Sequence, residues 1–489
     1  DDLLFIKKYN NLRFLDFIFP NLDTIDSHIL TFPSYYYLFI FYWLIGDSYQ
    51  FVYDILKIFY ILISLFFYYK FFTLFFDTNK SFIFSLFIIF YPSHDTTLFW
   101  YVTSSYNLIP SLILYSYYLF INKINKTAIF ILLFSTFSFY ISLPFVFGLS
   151  FFLLLKKKNN LFLIYFITGM IYVIYVNTIF FFYENLDSKS SDNINNIISI
   201  LSSLLLQFFS SIEAVFGPSI IFKIIGTYYN LSLTNLIISI FVIVIITFNT
   251  KKFTKFNIQK YLDLSTIILM IYFSSIIYIS LTNSYYHTAY NLGNRITIYP
   301  TLLIVIILSL IKNKFILLCI FYFFIVLPLL GIGNHWKEWN KNQINIIFNI
   351  NKNIDIANLR PDDTLIIEGN RYSVLNGINH IEFLAMPWIT ETIFSKYDIK
   401  NVISLSKNLI LKENILINKK FKKTYELHNK IFIYKTNIDK VIELDQYELS
   451  NLILNTKYNK RHWLQNLDKD NIIIILINKL NPSIQNVFK

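Results

Sequence analysis

The chain has 489 residues, of which 55% are hydrophobic and only 15% are charged, and its mean hydropathy is +0.51. A soluble protein of this size needs more charge on its surface, so soluble, disordered and collagen-like classes are excluded. The net charge of +12 accompanies abundant Asn, Ile, Phe and Tyr, as a coding bias toward A and T would produce, and it does not indicate nucleic-acid binding. Cys319 is the only cysteine, which excludes an internal disulfide and a Cys-rich metal site. We interpret the chain as a polytopic α-helical membrane protein.

A membrane-spanning helix needs about 20 apolar residues, because no backbone group can stay unpaired in hydrocarbon. In chain order, the predicted spans cover residues 51–69, 81–92, 98–120, 128–155, 161–182, 232–249, 264–282, 296–311 and 315–331. Block 128–155 contains Pro144 and has lysines at both ends, so it is predicted to be a hairpin of two crossings, which makes about ten spans in all. Block 81–92 is short for a complete span. Segments 32–46 and 195–225 are predicted to lie along the interface or dip into it.

The lysine-rich loops orient the predicted spans, since such loops stay on the cytoplasmic side. The lysines at 156–158 and those at 251–260 fall on one side if the spans alternate, whereas the acidic loop 183–193 falls on the other. The N-terminal segment, two further loops and the tail then share the outer side. An outward-facing start at Asp1 predicts a preceding signal-anchor helix that this sequence lacks.

The tail returns to the composition of a soluble domain. Short β-branched runs at 364–368, 401–405, 431–435 and 471–477 predict strands of an α/β domain. We therefore divide the chain into a first outer loop at 1–31, a transmembrane helical domain at 32–331 and an extracytoplasmic α/β domain at 332–489. The sequence has no phosphate-binding glycine loop, no HExxH and no GxSxG motif, which excludes the soluble enzyme classes that depend on them.

The candidate chemical groups lie at the outer ends of the predicted spans. Asp1 and Asp2 form an adjacent carboxylate pair, in which one member can act as a general base, although an exposed helix start is the simpler reading. In the Ser-His-Asp-Thr stretch at 93–96, Asp95 or Thr96 either caps a helix or belongs to a site. Arg295 either anchors a helix end or binds a phosphate with two parallel hydrogen bonds.

Other ionisable residues have simpler interpretations. Asp54 and Lys57 are three residues apart on one predicted helix and are expected to form an ion pair. His28 and His287 lie on the outer face, but histidines scattered singly are more often structural than metal ligands. Trp336 and Trp339 follow the last predicted span, where indole rings commonly sit among lipid headgroups.

The order of these features resembles the GT-C superfamily of membrane glycosyltransferases, and within it the branch like the protein O-mannosyltransferases. The resemblance covers residues 1–345 and rests on Asp1-Asp2 with Phe5, Pro33, the loop with Pro92, His94, Asp95 and Trp100, Pro144, Asn294-Arg295 with Tyr299-Pro300, and Trp336 with Trp339. Relatives often carry a charged pair shortly before the hairpin proline, where this chain has Ser138-Phe139-Tyr140, and an acidic residue at the position of Asn294.

The resemblance implies transfer of a sugar from a polyprenyl-phosphate donor to a protein or glycan acceptor on the outer face, with inversion at the anomeric carbon. Asp1 or Asp2 would be the base, and Arg295, His94, Asp95 and Trp100 would bind the donor. No metal ligand is implied with certainty, although a divalent metal is compatible with the class. The bacterial cytoplasmic membrane is the expected location, in preference to the endoplasmic reticulum.

Two other classes fit a polytopic membrane protein. A transporter or flippase of lipid or polysaccharide would place ionisable residues near the bilayer midplane and often show two similar halves. A non-catalytic membrane scaffold would depend on no outer-face acid. The predicted spans carry few central charges, and no repeat is evident, so chemistry at the outer interface is the expectation.

Overall fold

The computed structural model describes residues 2–10, 12–18, 36–46, 50–182, 197–250, 257–282, 286–427, 429–456, 460 and 462–466, and it is 70% helical. The chain divides into two compact units. The helical unit comprises residues 8–289 and 293–333, and the sheet unit comprises 1–7, 290–292 and 334–489. The α-helices before the sheet are α1 Asp2–Asn10, α2 Phe14–Ile18, α3 Tyr36–Ile45, α4 Gln50–Phe72, α5 Thr78–Phe90, α6 Thr96–Phe99, α7 Ser105–Ile121, α8 Asn125–Thr136, α9 Ser142–Leu155, α10 Asn159–Phe182, α11 Ile197–Phe216, α12 Pro218–Tyr228, α13 Leu233–Asn249, α14 Ile258–Thr282, α15 Ile298–Ser309, α16 Lys314–Phe321, α17 Leu327–Lys352 and α18 Ile354–Ala357.

Six helical segments within the described residues are long and apolar enough to cross a membrane. They are Gln50–Phe72, Asn159–Ile179, Ile200–Tyr228, Ile258–Leu281, Leu292–Ser309 and Lys314–Lys352. Five of them overlap predicted spans, and together they are compatible with an integral membrane protein. The predicted total of about ten spans is not confirmed, because several predicted spans are shorter helices or are interrupted.

The predicted span at 98–120 is interrupted near its start. Residues 92–104 form two 3-10 turns, Pro92–His94 and Tyr101–Thr103, on either side of the single-turn helix α6. Nearly all of these residues are buried. Irregular backbone of this kind is tolerated within a membrane protein where surrounding protein covers it.

Block 128–155 divides into two helices, as predicted from Pro144 and the flanking lysines. Helix α8 has 12 residues and α9 has 14, so each is shorter than the roughly 20 residues that a complete crossing needs. Pro144 lies in the first turn of α9, where its missing N–H has no helical partner to lose.

Helices α11 and α12 form a pair that turns back on itself. In α11, Ser203 donates to the carbonyl of Ser280 at 3.3 Å, and the hydroxyls of Ser211 and Tyr272 are 2.7 Å apart. Because the α11 numbers rise as the α14 numbers fall, α11 runs antiparallel to α14. In α12, the Lys223 ammonium contacts the carbonyl of Ala289, beyond the end of α14. Helix α11 therefore begins beside the C-terminal end of α14 and runs away from it, and α12 runs back toward that end.

The turn between α11 and α12 follows from its local sequence. Pro218 is the first residue of α12, and a proline at that position starts a helix because its missing N–H would be unsatisfied anyway. The Glu213 carboxylate accepts a hydrogen bond from the Ser219 N–H at 2.9 Å, which satisfies one free donor of the new helix. This path is consistent with the prediction that 195–225 dips into the membrane, although Ile200–Tyr228 is long and apolar enough to cross.

Close contact between α9 and α14 holds the centre of the helical unit together. A Cβ atom added to Gly148 would lie 2.5 Å from the Cα of Ile271, so only glycine allows this approach. Toward the other end of the same helices, the Lys156 ammonium and the Asp263 carboxylate are 2.5 Å apart. The two helices are therefore fixed both by packing and by an ion pair.

Within the described residues, the sheet unit contains three small sheets. Its strands are β1 Thr364–Glu368, β2 Tyr372–Leu375, β3 Ile378–Glu382, β4 Asn401–Ser404, β5 Leu409–Lys412, β6 Ile415–Asn418, β7 Lys423–Glu426, β8 Ile431–Lys435 and β9 Lys440–Leu444, with helices α19 Pro387–Phe394 and α20 Gln446–Asn455. The first sheet has the order β4-β1-β8-β9, with β1 parallel to both β4 and β8 and β9 antiparallel to β8. The predicted strands at 364–368, 401–405 and 431–435 are confirmed, and the one at 471–477 lies outside the described residues.

Two further features of the sheet unit were not predicted from the sequence, a hairpin and a long first helix. A hairpin joins β2 to β3 through Asn376 and Gly377, which both have positive φ angles, as an Asn-Gly turn of this kind requires. Helix α17 extends to Lys352, and its Ile346 and Ile350 pack in the same apolar cluster as Leu365 of β1. The tail therefore begins with a long helix whose apolar face covers the sheet.

Candidate functional site

A buried ion pair joins two distant parts of the helical unit. The Lys223 ammonium of α12 lies 2.6 Å from the Asp95 carboxylate, and the two side chains are 0% and 1% exposed. Lys223 also donates to the carbonyl of Ala289. A buried ammonium or carboxylate costs several kcal/mol in lost hydration unless it is paired and hydrogen-bonded. The direct contact makes this pair tolerable inside the unit.

Asp95 is the N-cap residue of helix α6, but its side chain makes no capping hydrogen bond. Instead, the same carboxylate oxygen that contacts Lys223 accepts a hydrogen bond from the amide nitrogen of Asn294 at 2.7 Å. The Thr96 hydroxyl donates to the amide oxygen of Asn294. Both polar atoms of the Asn294 side chain are thus bound by consecutive residues, 199 and 198 positions earlier in the chain.

Hydroxyl groups extend this contact along the start of α15. The Ser93 hydroxyl lies 3.0 Å from that of Thr297 and 3.2 Å from that of Thr301. The Nδ1 atom of His94 is 3.4 Å from the Thr301 hydroxyl, and the His94 side chain is fully buried. The stretch 93–96 and the segment 294–301 therefore form one buried polar cluster within an apolar unit.

Arg295 lies beside this cluster in the 3-10 helix Leu292–Thr297. Its guanidinium carbon is 5.5 Å from the ring centroid of Tyr106, a distance at which the ring face attracts a cation. The Tyr106 hydroxyl is hydrogen-bonded to that of Tyr140. Arg295 is half-buried, and its guanidinium lies against this aromatic face.

The other predicted site residues are not gathered into this cluster by any described contact. Asp1 lies outside the described residues. Asp2 is the first residue of α1, and the structure describes only its backbone. Trp100 is half-buried, and its backbone N–H closes α6 on the carbonyl of Thr96. The roles of Asp1 or Asp2 as base and of Arg295, His94, Asp95 and Trp100 in donor binding therefore stay predictions.

His287 is a further buried group close in sequence to Ala289. It is 1% exposed, and neither ring nitrogen has a hydrogen-bond partner within the described part of the chain. Burial lowers the pKa of His287 to about 3, because the charged imidazole loses hydration. The ring is therefore neutral at physiological pH. His28 lies outside the described residues.

Other predicted contacts can be compared with the structure. The Lys57 ammonium is 2.6 Å from the Asp54 carboxylate, which confirms the expected pair, and it also donates to the carbonyl of Phe99 at 3.0 Å. The indole rings of Trp336 and Trp339, expected among lipid headgroups, are half-buried and contact aromatic side chains of the sheet unit. The Trp336 ring is 6.2 Å from that of His380, and the Trp339 ring is 6.4 Å from that of Phe383.

Sequence reasoning missed Lys223. The signal was present, because this residue is the only charge in the apolar stretch Pro218–Tyr228, and ionisable residues within apolar helices commonly mark functional sites. Its partner could not be read from the sequence, since 128 residues separate it from Asp95. Asn294 has a further role that the sequence did not reveal, because its side chain binds both Asp95 and Thr96.

The described residues include no group of three or more His, Cys, Asp or Glu side chains placed to hold a metal ion, so we assign no residues to a metal. Comparison with known proteins found no matching family model, no matching curated protein and no matching solved structure. Function therefore has to be argued from the residues and their geometry.

Proposed function

We propose that the chain is a membrane glycosyltransferase that transfers a sugar from a polyprenyl-phosphate donor to an acceptor hydroxyl on the outer face. The main support for this proposal is the position of Arg295. The stretch 93–96 and the segment 294–301 meet in a buried polar cluster, and Arg295 lies directly beside it. A fixed guanidinium next to long apolar helices suits a lipid phosphate, because the phosphate must stay at headgroup depth while its isoprenoid chain stays in hydrocarbon.

The proposed reaction is a direct displacement. The acceptor oxygen forms a bond to the anomeric carbon as the bond between that carbon and the donor phosphate oxygen breaks, which inverts the configuration. Asp1 or Asp2 takes the proton of the acceptor hydroxyl. Arg295 offsets the charge that develops on the departing polyprenyl phosphate.

Burial separates the proposed donor-binding residues into two groups. Arg295 and Trp100 are half-buried, so they are the members that contact the donor in this proposal. His94 and Asp95 are 0% and 1% exposed, and in this proposal they support the site from behind. Arg295→Ala is expected to raise the KM for the lipid donor about tenfold or more, because water cannot replace a fixed two-pronged contact.

A second candidate function is translocation of a lipid or polysaccharide. It is favoured by the Lys223–Asp95 pair, because charged pairs inside apolar helices often lie on substrate or proton pathways. This observation weakens the expectation, drawn from the sequence, that charges are scarce within the apolar helices.

Reconstituted vesicles containing the full chain distinguish these functions. The proposed enzyme transfers labelled sugar from a polyprenyl-phosphate donor to an outer-face acceptor, with no transfer from a soluble nucleotide sugar alone. Movement of labelled lipid or glycan across the bilayer, without any new glycosidic bond, would support translocation. Transfer from a nucleotide sugar alone would refute the proposed donor.

A further inference from the structure

Lys223 has a charge that helix packing does not require. Its side chain is 0% exposed and follows Ile220, Ile221 and Phe222 in α12. An apolar side chain of similar length would fill the same volume without losing hydration, and replacing a buried ion pair by apolar residues is often neutral or stabilising. The charge of Lys223 therefore suggests a role other than packing.

The contacts of Lys223 lead in two steps to Asn294, the residue before Arg295. Lys223 contacts the Asp95 carboxylate oxygen at 2.6 Å, and that oxygen accepts from the Asn294 amide at 2.7 Å. Asn294 is buried and is held at its other amide atom by Thr96. Asn294 immediately precedes Arg295 in the same 3-10 helix, so the contacts that hold the Asn294 side chain restrain the backbone from which Arg295 extends.

Lys223 and Asn294 share one oxygen of Asp95. That oxygen contacts the Lys223 ammonium at 2.6 Å and accepts from the Asn294 amide N–H at 2.7 Å. All three side chains are buried, so the position of the Lys223 ammonium limits where the Asp95 oxygen that holds Asn294 can lie.

We infer that Lys223 is a positioning residue, which acts through Asp95 and Asn294 to hold Arg295 in the geometry that binds the phosphate of an isoprenoid-phosphate lipid. This inference rests on the proposed function for the identity of the ligand. Lys223 does not touch the donor itself. Its loss should weaken binding of the phosphate and leave the chemical step nearly unchanged.

The test measures binding of polyprenyl phosphate without a sugar to the full chain in nanodiscs. We expect Lys223→Met and Asn294→Ala each to raise Kd about tenfold, which corresponds to the loss of one well-placed charge-assisted contact. Lys223→Arg, which keeps the charge, should stay within about threefold of the wild type. Lys156→Met is the matched control, because it breaks another Lys–Asp pair of the helical unit, and its Kd should not change.

Asn294→Ala keeps the inference testable if Lys223→Met fails to fold, because it leaves the Lys223–Asp95 pair in place. A purely structural role of the pair predicts no change in Kd for a folded Asn294→Ala protein, and that result would overturn the inference. With a sugar-bearing donor, the variants should raise KM while kcat stays within about threefold. A fall in kcat at constant KM would also overturn it.

The two proposals fail in different ways. If the wild type binds polyprenyl phosphate but transfers no sugar, the proposed enzyme activity is wrong, and the Kd values of the variants still decide the role of Lys223. If the wild type does not bind polyprenyl phosphate, the positioning role is wrong even if sugar is transferred from some other donor.

Discussion

Removing the Lys223 charge should destabilise the helical unit strongly. In Lys223→Met, the Asp95 carboxylate would remain 1% exposed without the ammonium at 2.6 Å. Breaking a buried pair by removing one partner costs about 3–5 kcal/mol. Because Asn294 still donates to Asp95 at 2.7 Å, we expect the lower end of this range, about 3 kcal/mol of the free energy of unfolding.

The double variant Asp95→Asn with Lys223→Met should recover most of this loss, because it removes both charges of the pair. We expect it within about 1 kcal/mol of the wild type. Reversible unfolding of the full chain in mixed detergent micelles, followed by tryptophan fluorescence, measures these free energies. Lys156→Met provides the control, since its pair is about one-third exposed and should cost at most about 1 kcal/mol. A Lys223→Met protein as stable as the wild type, or a double variant as unstable as the single one, would refute this reasoning.

Three further predictions concern the architecture of the helical unit. Gly148→Val should cost about 1–3 kcal/mol or more of unfolding free energy, because a Cβ atom there would lie 2.5 Å from the backbone of α14; a stable variant would contradict this close approach. Glu213→Ala should cost about 1 kcal/mol by removing the acceptor for the Ser219 N–H, measured by the same unfolding assay with Glu213→Gln as the milder control. Cysteines at Leu201 and Tyr229 should react with a membrane-impermeant reagent from the same side, and labelling from opposite sides would show that α11 and α12 cross the membrane.

The sequence was informative wherever a local pattern decided the structure. The strands at 364–368 and 431–435 were predicted with the bounds that the structure gives, because short β-branched runs between polar turns have few alternatives. The ion pair of Asp54 with Lys57 followed from helical spacing alone. Five of the six long apolar helical segments overlap predicted spans, because a run of about 20 apolar residues is also a local pattern.

Local patterns were insufficient where tertiary contacts decided the outcome. At the break within 98–120, the carbonyl of Phe99 accepts a hydrogen bond from the distant Lys57, and just before it Asp95 is held by Asn294 and Lys223. The direction of α12 is indicated by the contact of its Lys223 with the carbonyl of Ala289, 66 residues later in the chain. The extension of α17 to Lys352 is stabilised by packing against strands that follow it in the chain. Hydropathy reports burial in apolar surroundings, and it cannot say which partners provide it.

The candidate site was partly within reach of the sequence. His94, Asp95 and Arg295 were chosen because polar residues at the ends of apolar blocks need an explanation, and the structure connects Asp95 to the residue next to Arg295. The role of Lys223 could be recognised only from its contact with Asp95 in the structure. The proposed base at Asp1 or Asp2 rests on the family resemblance and has to be tested by chemistry.

The most direct test is the rate of sugar transfer from a labelled polyprenyl-phosphate donor by the full chain with both Asp1 and Asp2 replaced by Asn. We expect turnover to fall about 10²–10⁴-fold while the protein stays folded, because a general base typically contributes that factor. Asp16→Asn is the control, since Asp16 is an exposed carboxylate in the same N-terminal segment, and its activity should be unchanged. Full transfer activity in the chain without both Asp1 and Asp2 would contradict the proposed mechanism.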